Sequence, residues 1–138
     1  MRDHTASTRT VLECLIAFVC GAIILIVPVA LAPDTFSHPE PAKFLPLVAT
    51  AVERIEPYSL GLLFLLGLVL GYFARSSALV LAVCIVLIFP LWSVADIFLG
   101  GDHNLLPFEW LFYAFYALLP LAGIATIRVA RRALASGA

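Results

Sequence analysis

Side chains that can hold a cation or move a proton, with phenols and an indole beside them, gather in one stretch of an otherwise apolar chain, Trp92 to Tyr116. Glu109, Tyr113 and Tyr116 are spaced i, i+4 and i+7 and so share one helical face. Trp92, Ser93 and Asp96 fall within about one turn of each other, and Asp102, His103 and Asn104 lie between the two groups. If the two faces meet, Trp92, Ser93, Asp96, Glu109, Tyr113 and Tyr116 make an outward-facing polar pocket with His103 above it. Two carboxylates, two phenols, a hydroxyl and an indole suit a cation or proton path, or the binding of a small polar molecule or a lipid. A carboxylate in hydrocarbon is costly enough that it is normally paired or lines a wet cavity, which makes Asp96 the leading functional candidate.

A structural reading stands beside this one. Asp96 lies roughly 6 Å from the end of its apolar run, within reach of interfacial water. Glu109 falls in a first helical turn, where the helix dipole favours an acid, and Asn104 could cap it. Trp and Tyr at that level are ordinary interfacial anchors. A weaker site is a divalent metal held by His38, Glu40, Asp102 and His103 from two outer loops, although no ligand pair there has diagnostic spacing.

The elements that must position these residues are apolar spans. With 63% hydrophobic and 12% charged residues and a mean hydropathy of +1.08, the chain of 138 residues needs a bilayer as its solvent. Runs at about 11–32, 58–74, 78–99 and 108–127 predict an all-α membrane domain, a bundle of four antiparallel transmembrane helices, joined on the outside by loops 33–57 and 100–107. Their lengths reach roughly 25 to 33 Å against about 30 Å of hydrocarbon, so the second is tight. Ala30-Leu31-Ala32 has the form of a leader cleavage site, but the run before it is long for a leader and Pro33 would follow the cut, so it reads as an uncleaved span.

Arginine placement sets the orientation. Arg2, Arg9, Arg75, Arg128, Arg131 and Arg132 flank one side of the spans. Lys43 and Arg54 stand on the other side among Asp34, Glu40, Glu53, Glu56, Asp102 and Glu109. Both termini are therefore expected in the cytoplasm. The inner basic rim suits anionic head groups. Arginine in place of lysine, with abundant Ala, Leu and Gly, points to a bacterial inner membrane.

Along the chain, Thr10 to Glu13 reads as a capping box, and Arg9 and Glu13 are four apart, giving Glu13 a structural task. The prolines of 33–46 deny regular structure to the first half of the long outer loop. After them Leu47, Val48, Ala51, Val52 and Ile55 share one face of a short amphipathic helix, lying on the membrane or capping the bundle. Gly67 and Gly71 form a GxxxG face for close helix packing. Pro90 and Pro120 are expected to kink the third and fourth spans. Residues 22–34 align without gaps on 84–96, matching Pro28 with Pro90 and Asp34 with Asp96, as would follow from duplication of a two-span hairpin or, equally, from chance within the small alphabet of apolar segments.

Absences narrow the function. Cys14, Cys20 and Cys84 all lie within spans and give no disulfide framework. No span holds a histidine pair for haem or a lysine for a Schiff base, and the P-loop, GxSxG and HExxH patterns are missing. The sequence thus favours a non-enzymatic accessory, assembly or protective subunit, with no cofactor and no nucleic-acid partner. Its partners would be the lipid bilayer and a membrane protein or further copies of itself. The alternative is a small carrier or pore, or an outward-facing small-molecule or lipid-binding protein, using Asp96 and Glu109.

Overall fold

The computed structural model describes residues 2–31, 51–52, 55–98 and 106–137. Among these residues the chain is all helical, with no strand, and its principal elements are α1 (Arg2–Leu31), α2 (Pro57–Phe73), α3 (Ala78–Val86), α4 (Ile88–Phe98) and α5 (Leu106–Ser136). Within them Ser7–Leu31 and Trp110–Ser136 are each long and apolar enough to cross a membrane. The α3–α4 pair qualifies as a third span if its two bent pieces count as one, and α2 is a shorter apolar helix of 17 residues.

Prolines decide where these helices bend. Pro90 has no N–H for the carbonyl of Val86 and its ring crowds that turn, so the helix breaks at Leu87 and resumes at an angle of 45°. Leu87 N–H turns to the Cys84 carbonyl at 3.3 Å, a tighter turn that ends α3. The expected kink is thus a break between two helices, one turn before the proline. Pro28 similarly frees the Ile24 carbonyl, yet α1 runs on through it. There the Ser59 hydroxyl, buried at the start of α2, donates to the Ile24 oxygen over a long 3.5 Å. Pro120 lies inside α5, which also stays continuous.

Small residues set which helices touch. A Cβ on Gly67 would run into the Pro120 backbone, one on Gly71 into Ile124 and Ile127, and one on Gly123 into the Phe64 carbonyl. Advancing along α2 advances along α5, so these two helices run in the same direction with their backbones in contact. Gly21 meets the Ile85 backbone in the same manner, and Glu13 meets Ser76, so α1 and α3 also run alike. Ala17, Gly21, Leu25 and Val29, spaced four apart, form the buried stripe of α1. Leu63, Leu81, Ile85, Phe89 and Ile124 fill the core between the elements.

Two sequence expectations change at the helix ends. Thr10 is no N-cap, because α1 extends back to Arg2 and residues 10–13 lie in its interior. Likewise α5 continues past Ile127, where the apolar run ends, to Ser136, so that Arg128, Arg131 and Arg132 are helical. Between α1 and α2, Ala51 and Val52 are helical, Ala51 is buried, and Val52 and Ile55 pack against the core. The remainder of that amphipathic segment lies outside the described residues.

Candidate functional site

The sequence placed its candidate pocket where α4 meets the start of α5. Phe89 and Ser93, one turn apart, are both buried, and the face of α5 that meets Phe89 is the one carrying Tyr113 and Tyr116. Tyr113 stacks on the Phe89 ring at 5.1 Å and 14°, and Tyr116 stacks at 5.4 Å and 28°. Offset-stacked rings at these separations contribute attraction beyond their buried area. Both tyrosine rings therefore pack on Phe89 at the edge of the core. Trp92 beside them is half-buried.

Asp96 sits on α4 and Glu109 in the first turn of α5, with their side chains outside the described set. His38, Glu40, Asp102 and His103 also lie outside the described residues, so the proposed metal ligands have no geometry to report. Among the described residues no group of three or more His, Cys, Asp or Glu side chains is gathered closely enough to hold a metal ion.

An apolar cleft of about 180 Å³ opens next to the aromatic stack. Val83, Val86 and Pro90 form one wall at the α3–α4 corner, and Trp110, Tyr113, Ala114 and Ala117 form the other on α5. The bend at Leu87 and the small Ala114 and Ala117 leave this space. It has the character of a slot for an aliphatic or ring-bearing group, with the indole at its edge.

Among the described residues a polar cluster stands at the opposite end, near the start of α1 and the end of α5. The Glu13 carboxylate accepts hydrogen bonds from Ser76 N–H at 2.9 Å, Ser76 Oγ at 2.6 Å and Arg75 N–H at 3.1 Å, and pairs with Arg9 Nε at 2.8 Å. One acid on α1 thereby satisfies the link 74–77 that would otherwise leave its amides bare before α3. From the other side, Arg128 Nη2 donates to the Ser76 carbonyl at 2.7 Å and to the Ala74 carbonyl at 3.2 Å. Arg131 Nη1 donates to the Tyr72 carbonyl at 2.8 Å, with its guanidinium 4.8 Å from the Tyr72 ring centre.

This clamp joins α1, the α2–α3 link and α5. Sequence reasoning gave Glu13 a structural role through Arg9 and a cap, and missed its main partners 62 and 63 positions away. A hint was present in Arg75-Ser76-Ser77, a short polar link whose amides need an acceptor within reach. Gly67 and Gly71 face α5 through backbone contact, while Gly21 and Gly123, not singled out in the sequence, make equally close approaches. No family model matches the chain, and no curated protein or solved structure matches it either.

Proposed function

We propose that the chain crosses a bacterial inner membrane four times in an antiparallel bundle, with both termini cytoplasmic, and serves as a non-enzymatic accessory, assembly or protective subunit of a larger membrane protein. The crossings are α1, α2, the bent α3–α4 pair and α5. At roughly 25 Å, α2 is short, and local thinning of the bilayer accommodates it. The arginine-rich end, bearing Arg9, Arg75, Arg128, Arg131 and Arg132, faces the cytoplasm.

The observation carrying this reading is where polar groups go. Among the described residues only Ser59, Ser76 and Ser93 are buried polar side chains, and the rest of the interior is apolar or closed by glycine-mediated backbone contact. Ser59 and Ser76 are spent on a freed carbonyl and on Glu13. Thr126 and Ser136, the hydroxyls in the inner half of α5, are exposed rather than turned inward. A carrier needs a continuous polar route, and the scarcity of buried polar side chains among the described residues supports the accessory reading over it. Exposed apolar stripes on α1, from Val11 to Leu31, and on α5, with Phe108, Leu111, Phe112, Phe115 and Leu118, supply surface for lipid and for a partner.

Reconstitution tests the sealed interior. Proteoliposomes under an imposed potential, read with pH- and sodium-sensitive dyes, should leak no faster than protein-free vesicles. A flux that Asp96→Asn abolishes would replace this reading with the carrier. The apolar cleft beside Trp110 and Tyr113 favours a second reading, an outward-facing site for a lipid or ring-bearing molecule, in which Trp110→Ala would remove binding of that molecule.

A further inference from the structure

Arg128, Arg131 and Arg132 line, with Ala135, a cleft of about 300 Å³ at the clamped end of the bundle. That space is several times the ~30 Å³ that a water molecule occupies in the liquid. Spaced i, i+3 and i+4, the three cations stand on adjoining faces of α5, where like charges repel. Two of them are fixed from behind by groups that carry no net charge. Arg128 is held by the Ser76 and Ala74 carbonyls, and Arg131 by the Tyr72 carbonyl and ring. A guanidinium has five N–H donors in a rigid fork, so each keeps donors and its full charge for the cleft. Arg132 is exposed and makes no hydrogen bond or ion pair among the described residues. Among the described residues no carboxylate lines the cleft, and Glu13 at this end is already engaged by Arg9, Arg75 and Ser76.

The geometry points to a phosphate site, in which the cleft takes the headgroup phosphate of an anionic phospholipid. Guanidinium forks match phosphate oxygens in charge and shape. The lipid source follows from the level of the cleft. Tyr72 and Phe73, 50% and 69% exposed and packed edge to face at 4.9 Å, form the aromatic anchor that settles at a membrane–water boundary. Arg131 lies over that same Tyr72 ring. A headgroup held there leaves its acyl chains along the exposed apolar sides of α2 and α5. The inference rests on the membrane placement proposed above and not on the accessory role, so it stands equally for a carrier.

Native mass spectrometry of the full chain in mild detergent tests it, with phosphatidylglycerol, phosphatidylcholine and inorganic phosphate titrated separately. Wild-type protein should hold phosphatidylglycerol about fivefold or more over phosphatidylcholine, and Arg132→Gln should lower that preference about fivefold. Arg2→Gln, removing the same charge from α1, should leave it unchanged, and thermal unfolding of Arg132→Gln should match wild type. Equal binding of the two lipids by wild type would overturn the site. So would equal losses from Arg2→Gln and Arg132→Gln, which would mean diffuse attraction. Inorganic phosphate adducts without a phosphatidylglycerol preference would overturn the lipid source. Adducts of neither lipid would instead remove the membrane placement, and co-purification of a partner has no bearing on any of these outcomes.

Discussion

Among the described residues, the two ends of the packed helices are held together by different chemistry. At the end holding the termini, Glu13, the 74–77 link, Arg128 and Arg131 are bound by charge-assisted hydrogen bonds of 2.6 to 3.2 Å across three elements. At the other end Phe89, Tyr113 and Tyr116 are held by ring faces, and the bend at Leu87 leaves an apolar cleft of about 180 Å³ beside them. The first end fixes backbone and the second fills volume. Between them α2 and α5 touch backbone to backbone through Gly67, Gly71 and Gly123. The contrast teaches that polar side chains beside apolar helices can serve the backbone: Glu13 and Arg128 complete the hydrogen bonding of a turn, and Ser59 that of a proline-freed carbonyl.

Substitutions break or sharpen that comparison, and the largest effect belongs to the middle of the bundle. Gly67→Leu forces a side chain into the Pro120 backbone and should cost about 3 kcal/mol, read as reversible unfolding in detergent. Gly61 has open space around its Cβ position, so Gly61→Ala should be neutral or stabilising by about 0.5 to 1 kcal/mol. Should both glycines tolerate substitution alike, the backbone contact would lose its role. At the clamped end Glu13→Gln weakens the acceptor of Ser76 and Arg75 and should cost about 2 kcal/mol. A Glu13→Gln variant as stable as the wild type would remove the clamp from the comparison. Ser59→Ala loses a long bond to the Ile24 carbonyl, an effect of about 1 kcal/mol measurable as an earlier unfolding midpoint. Arg9→Gln should cost the least, about 0.5 kcal/mol or below, because Arg9 is 49% exposed and its pairing with Glu13 is screened; raising the salt concentration should shrink the difference further.

Much of the helical frame was legible because hydropathy and proline placement are local properties. The positions of α2, the α3–α4 pair and α5 follow directly from runs of Leu, Val and Phe bounded by Pro57, Ser77 and Pro107. Pro90 announced the bend, but its location at Leu87 depends on which carbonyl the proline deprives, one turn earlier. The partners of Glu13 were not legible, because a contact spanning 63 positions is decided by helix packing, which no local pattern encodes. Tyr113 and Tyr116 illustrate the same limit. Their spacing placed them on one face, and whether that face met water or Phe89 depended on α4. The Gly67–Gly71 pattern named a close approach without naming Pro120 and Ile124 as its partners. The like direction of α1 with α3, and of α2 with α5, is what any alternating up-and-down order of helices gives, so it has no bearing on the gapless alignment of 22–34 with 84–96.

The central claim is that this chain contributes packing surface to a larger membrane assembly rather than chemistry of its own. Purification at native abundance into nanodiscs, with mass spectrometry of every protein and small molecule retained, addresses it most directly. The account predicts a larger membrane protein recovered at fixed stoichiometry, with recovery unchanged by Asp96→Asn and Glu109→Gln. A lone chain or homo-oligomer that retains a small molecule, and loses it in those two variants, would contradict the account.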